Sequence, residues 1–270
     1  MASSGGNRRQ RRGVCNARFV DGIFKRPHTA SRNERASKIS GTFCLQACRI
    51  STRQRNRRPL SATLTMKRVS ATLLTDGSSD RLLKPLIELL LGEHTDLPYE
   101  VNFAEGLPPV AQGLKSRIKS ALEMFPWDFL FVHRDEEGVG MAIRQQEINN
   151  SWPASEQMAV LICVIPVRMT EAWLITDAKP IRLAVGNPNG TEALDLPAAK
   201  DIESSPDPKE ILFAALKTAS GRNARRQARF NPHQFRHRVS ELTDDLAPLR
   251  MLASFKHLET QVKKHVELLR

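Results

Sequence analysis

The sequence predicts an α/β domain over residues 66–270, a mostly parallel sheet flanked by helices, followed by a helical C-terminal part. Three observations carry that prediction. Short unbroken apolar runs such as 69–75 and 158–166 suit strands covered on both faces, because a half-exposed strand alternates apolar with polar residues. Segments with apolar residues at helical spacing separate those runs, the pattern of strand–helix–strand units. Turn and capping residues punctuate the boundaries, as in DGSSD at 76–80 and RDEEG at 134–138.

The elements follow in order. VSATLLT (69–75) is the first strand, and RLLKPLIELLLG (81–92) a helix whose start Pro85 trims or kinks and whose end Gly92 caps. Residues 99–103 give a second strand. Residues 110–124 give a helix with Leu114, Ile118, Ala121 and Leu122 on one face. WDFLFVH (127–133) is the third strand, 140–150 a helix, and MAVLICVIP (158–166) the fourth strand. Beyond Thr170 the pattern turns helical, with a turn at GNPNG (186–190) and helices over 208–219, 232–246 and 248–269. A core over 66–180 and a helical part over 181–270 packed on it is the expected division.

Charge is distributed unevenly. Of 41 Lys+Arg and 29 Asp+Glu in the chain, residues 1–65 hold 15 bases and two acids, leaving 26 bases and 27 acids to residues 66–270. The formal charge of +12 therefore belongs to the extension, and a nucleic-acid argument from net charge alone fails for the folded part. Residues 1–65 lack a sustained apolar period and are expected to be disordered. Three readings stay open for them: a nucleic-acid-binding arm, an organellar transit peptide, or an over-extended start with Met66 the true one. Cys15, Cys44, Cys48 and Cys163 complete no zinc spacing and read as free thiols in a reducing compartment. No run approaches the roughly 20 apolar residues that span a bilayer, so a cytoplasmic protein is expected.

Acidic residues recur where strands end. Asp76 and Asp80 follow the first strand, Asp135, Glu136 and Glu137 the third, and Glu171 the fourth. Strand ends on one side of an open parallel sheet converge on a crevice. If the first and third strands are neighbours, Asp76 and Asp135 meet there, and clustered carboxylates call for a cation. Magnesium, or manganese, fits oxygen ligands of this kind and would assist an in-line displacement at phosphorus. Taken alone, Asp80 reads more readily as a helix cap, Glu136 as solvent-facing and His133 as a packed imidazole.

TDGSSD (75–80) is similar to the E-G-x-[ST]-D signature of the TOPRIM (topoisomerase–primase) fold, and HRDEEG (133–138) resembles its D-x-D or D-x-E motif. VIPVRMTEAWLITD (164–177), AVGNPNG (184–190) and DPKEILFAAL (207–216) resemble blocks of an uncharacterised bacterial TOPRIM-like family. The resemblance covers most of 66–270. It implies a TOPRIM-like sheet, a metal site of Asp76, Asp135, Glu137 and Glu171, and Asp76 and Asp135 as catalytic acids. Asp76 stands where that family's proton-shuttling residue is usually Glu. Its shorter reach puts general acid/base work in doubt more than metal binding.

The stretch 221–238 gathers Arg222, Arg225, Arg226 and Arg229 with Phe230 and Phe235 interleaved. It reads either as a contact to a phosphate backbone with an aromatic free to stack, or as a connector docked by its Phe side chains. Arg168 beside Glu171 either positions phosphate or pairs with the acid. The function expected is metal-dependent phosphoryl transfer on nucleic acid, a nuclease, with a role in defence or genome maintenance implied by the resemblance. The alternative is a non-catalytic component whose acidic pocket binds a cation or a partner protein.

Overall fold

The computed structural model describes residues 67–156, 158–221 and 224–269. The expectations for the N-terminal extension and for Cys15, Cys44 and Cys48 lie outside the described residues. Four parallel strands form one sheet: β1 (Val69–Leu74), β2 (Tyr99–Phe103), β3 (Phe129–His133) and β4 (Val160–Val164), in the spatial order β2-β1-β3-β4. The helices are α1 (Leu83–His94), α2 (Leu114–Met124), α3 (Met141–Ser151), α4 (Ala178–Ala184), α5 (Ala199–Ile202), α6 (Pro208–Ala219), α7 (Ala224–Gln227), α8 (Arg236–Glu241) and α9 (Ala253–Glu267). Short 3-10 turns precede α1, α2, α8 and α9 and span Thr170–Ile175.

The unbroken apolar runs resolve into two sets by the period-two alternation of a strand. Val69, Ala71 and Leu73 of β1, Phe129 and Phe131 of β3, and Ile162 and Val164 of β4 face one hydrophobic cluster. Leu74, Leu130, Val132, Cys163 and Ile165 face the other. The first cluster takes the Leu83, Leu86, Ile87, Leu90 and Leu91 stripe of α1 together with residues of α6 and α9. The second takes Leu114, Ile118 and Ala121 of α2 and Ile148 of α3. So α1 covers one face, α2 and α3 the other, and the C-terminal helices share the face of α1. Trp173 sits in that shared core, edge-on to Phe255 with ring centroids 5.2 Å apart, its indole N–H donating to Ser254 Oγ at 2.9 Å.

Strand order and helix placement reverse between β1 and β3. From β1 the chain steps outward to β2 by way of α1. It then crosses back under the sheet through α2 to β3, and continues outward to β4. The carboxyl ends of β1 and β3 therefore diverge into the crevice where such sheets bind ligands.

Several local expectations need correction. Gly92 lies inside α1, which runs on to His94; it is small because the Tyr99 hydroxyl stands 2.7 Å from where a Cβ would be. Pro85 falls in the first turn of α1, where its missing N–H costs nothing, so the helix starts there unkinked. The helix expected over 232–246 is a 3-10 turn over Pro232–Gln234 followed by the short α8. Asn231 caps the turn, and Thr243 Oγ1 donates back to the Val239 carbonyl where the helix has ended. At α6 the local chemistry holds: Asp207 accepts from the Glu210 N–H and Pro208 occupies the first turn. Among the described residues no helix is long and apolar enough to cross a membrane.

Truncating Phe131 to Ala in this doubly covered strand is expected to cost about 3–5 kcal/mol in a denaturant melt. Ile143→Ala, on the exposed side of α3, should stay within about 0.5 kcal/mol of the parent.

Candidate functional site

The loops leaving β1 and β3 meet around His133. That imidazole closes β3 on the α1 side of the sheet and is only 2% exposed. Its Nε2 lies 3.2 Å from Asp135 Oδ1 and 3.2 Å from Thr170 Oγ1, and the Thr170 hydroxyl also contacts Asp135 Oδ1 at 3.2 Å. The single hydroxyl hydrogen goes to the carboxylate, so the Thr170 oxygen is left to accept from Nε2–H. With the ring hydrogen on Nε2, Nδ1 is the atom left over. That atom is buried without a hydrogen-bond partner and faces Asp80 Oδ2 across 3.9 Å, beyond hydrogen-bond reach.

Asp80 is thus not a helix cap. No side chain caps the 3-10 turn over Ser78–Leu82 or α1, and Asp80 lies within that turn, directed at His133. Burial, opposed by His133 and reinforced by Asp135, raises its carboxyl above the ordinary value. Neither Asp80 nor Asp135 has a guanidinium or ammonium partner within 4.0 Å.

Three of the other acids picked out in the sequence, Asp76, Glu137 and Glu171, are each held by an arginine. Asp76 is bridged by Arg117 and Arg134, both at 2.9 Å. Glu137 pairs with Arg144 at 2.6 Å on an exposed loop, and Arg144 and Arg134 also share Glu147. Glu171 is buried against Arg236 of α8 at 2.7 Å, so its partner is not Arg168. Neighbouring β1 and β3 do bring the two loops together, but Asp80 rather than Asp76 shares the imidazole with Asp135.

Glu136, expected in solvent, is buried and organises the loop. Its carboxylate accepts from the backbone N–H groups of Gly138, Gly140 and Arg168 at 2.8, 2.6 and 3.2 Å. Burial alone would raise its carboxyl, but these three donors and the Arg168 charge outweigh it and hold it low. The clamp supports two left-handed backbones, Glu137 at φ 51° and Arg168 at φ 65°, which are joined by the Glu137 N–H to the Arg168 carbonyl at 3.2 Å. Such conformations cost about 1–3 kcal/mol each outside glycine and persist where surroundings enforce them.

Two concavities border the cluster's loops and the expected arginine stretch. A cleft of about 290 Å³ is lined by Asp76, Gly77, Ser78 and Arg117, whose Nε has no hydrogen-bond partner. A groove of about 620 Å³ is lined by Lys217, Arg229 and His233 with no carboxylate in its wall. Arg225 and Arg229 are exposed, Arg222 lies outside the described residues, and the Arg226 side chain is not described. Phe230 is buried and stacks on Phe235 at 4.8 Å, so these aromatics dock the segment onto the core and are not free to stack on bases.

Among the described residues, the group of three potential metal ligands that lies closest together is away from the strand ends. Single ligand atoms of Glu93, His94 and Glu259 come within 4.8 Å of one another. Arg250 already bonds both Glu93 and Glu259, and Lys263 lies 3.3 Å from Glu259. Burial would raise Glu259, but hydrogen bonds from Arg250, His94 and Lys263 prevail and bring it down to about 2. This network ties α1 to α9 and needs no further cation. Cys163 is likewise structural: burial pushes its thiol up to about 12.

Comparison of the chain with protein-family models, with curated proteins and with solved structures finds no match in any of the three.

Asp80 provides a direct test of the cluster's cost to the fold. Its folded-state pKa lies above the unfolded one, so its ionisation works against folding as pH rises above the ordinary carboxyl value of 3.8. Asp80→Asn is expected to raise the thermal midpoint at pH 7, and the gain should vanish once pH drops below that value. A midpoint lowered at pH 7 would show the carboxylate to be structural.

Proposed function

We propose that this chain is a TOPRIM-like protein whose Asp80–His133–Asp135 cluster is the centre of metal-assisted phosphoryl transfer on nucleic acid, with nuclease activity. One observation carries the reading: at the β1/β3 crevice, two carboxylates without cationic partners flank a buried imidazole whose Nδ1 is unsatisfied. Buried groups of this kind are costly unless they have work to do.

Two of these donors are placed to share a divalent cation. Asp80 Oδ2 and His133 Nδ1 stand 3.9 Å apart, which two ligand bonds of about 2.0–2.2 Å span. Asp135 contacts the other ring nitrogen, Nε2, and orients the imidazole from that side. Mn²⁺ accepts such a mixed oxygen and nitrogen set more readily than Mg²⁺ does. A bound ion would supply charge neutralisation and polarise a phosphoryl oxygen.

The protein's own groups define the rest. Thr170 fixes the ring of His133 and the carboxylate of Asp135 together. Arg117, at the wall of the neighbouring cleft, offers an unsatisfied Nε–H to a phosphate oxygen. The carboxylate-free groove of Lys217, Arg229 and His233 suits the sugar–phosphate backbone. Arg236, a few residues on, grips Glu171 beside Thr170 and so connects that segment to the cluster.

A non-catalytic reading is favoured by Asp76 alone. In the place of the TOPRIM proton shuttle it is clamped between Arg117 and Arg134, one on each carboxylate oxygen, which leaves it little freedom to reach a substrate. Under this reading the cluster binds a cation or a partner without turnover.

Calorimetric titration of Mn²⁺ and Mg²⁺ into the full chain, paired with cleavage assays on labelled DNA and RNA, separates these. The catalytic reading predicts saturable binding and cation-dependent cleavage, both lost in Asp135→Asn. Binding without cleavage supports the non-catalytic component. Absence of both, with substrate present, overturns the metal site.

A further inference from the structure

A cleft of about 810 Å³ lies away from the carboxylate cluster. It runs along β2, the outer strand of the sheet, and is bordered by α1 and α8. Among the described residues β2 is hydrogen-bonded on one side only, to β1.

Backbone directions along β2 follow from its two ends. The Pro98 carbonyl accepts from Val69 N–H and the Ala104 N–H donates to the Leu73 carbonyl, so even-numbered residues turn their backbone groups toward β1. Tyr99, Val101 and Phe103 consequently turn theirs outward, with no strand beside them. The Val101 side chain is buried beneath α1, so the strand offers the cleft its backbone. Two side-chain nitrogens in the cleft wall, Asn102 Nδ2 and His237 Nε2, are buried and have no hydrogen-bond partner.

We propose that β2 pairs antiparallel with β2 of a second copy of this chain, centred on Val101, joining two four-stranded sheets across a two-fold axis. Of the self-complementary registers, that one engages all three outward-facing residues. Val101 faces its own symmetry mate as a hydrogen-bonded pair, and Tyr99 and Phe103 face each other likewise. Each outward N–H then meets an outward carbonyl of the other copy. Between them Glu100 and Asn102 form the closer, non-hydrogen-bonded pair, which gives the unsatisfied Asn102 amide a carboxylate acceptor. Asn102 is uncharged, so no like charges face one another there. On the opposite face the half-buried rings of Tyr99 and Phe103 become aromatic cross-strand neighbours. The exposed Arg68–Glu100 and Arg81–Glu105 pairs at the strand ends are weak surface contacts and can adjust as the edge closes.

The proposal is independent of the chemistry at β1 and β3, and two substitutions isolate it. Val101→Pro removes an outward N–H and leaves the ladder to β1 intact, as edge positions tolerate. Asn102→Asp sets a carboxylate against Glu100 of the other copy and removes nothing that the monomer uses. Sedimentation velocity of the full chain at micromolar concentration and moderate salt should give twice the chain mass of 30.3 kDa. Asn102→Asp should weaken the dimer by about tenfold or more with an unchanged far-ultraviolet spectrum. Val101→Pro should give a monomer. A parent that is monomeric at tens of micromolar, or a dimer untouched by Asn102→Asp, overturns the proposal.

Discussion

A parallel sheet covered on both faces leaves almost nowhere to put a polar side chain except the strand ends. Every inward residue of β3, from Phe129 to Val132, is fully buried against one helix layer or the other. The first polar group the strand can carry is His133, at its carboxyl end, and even that ring is buried. The rest of the site is arranged around this constraint. β1 must end beside β3, the turn that starts α1 must bring Asp80 back over the imidazole, and the loop after β4 must deliver Thr170 from the same side. The reversal of strand order between β1 and β3 makes room for all three.

The charges around the crevice divide into two populations with different physical roles. Asp76, Glu137, Glu147 and Glu171 are interleaved with Arg117, Arg134, Arg144 and Arg236 into pairs that neutralise one another. Glu136 has no need of a guanidinium because three backbone N–H groups converge on it. These contacts hold the loops, including two left-handed residues that would otherwise relax. Asp80 and Asp135 accept hydroxyls from Ser79 and Thr170 and face the imidazole, with no guanidinium or ammonium beside them among the described residues. The contrast between carboxylates with and without a cationic side-chain partner, more than their number, singles out the cluster.

The sheet was legible because its signal is local: unbroken apolar runs of five or six residues, each closed by turn residues. Helices with a clear stripe, α1, α2, α6 and α9, were legible for the same reason. Less so was α8, where capping by Asn231 and the side-chain bond of Thr243 end a pattern that periodicity would continue. The acids were recognised by position, but their partners come from distant elements, which one sequence does not pair. Arg117 did carry a signal: with Leu114, Ile118 and Ala121 it occupies the buried stripe of α2, where an arginine implies an anion inside. Asp80 was read as a cap because capping is the commoner use of an aspartate after a strand. Only the fold of the turn over 78–82 sends it to His133 instead.

The central claim is that His133 and its two carboxylates form the protein's cation-binding centre. Paramagnetic broadening of ¹⁵N-labelled imidazole resonances during a Mn²⁺ titration tests it most directly, since the histidines are few and well separated along the chain. The account predicts that His133 broadens first, at substoichiometric Mn²⁺, and that Asp135→Asn abolishes the effect while His94 stays sharp. Broadening of His94 with His133 unaffected would contradict it and move the metal site to the α1–α9 network.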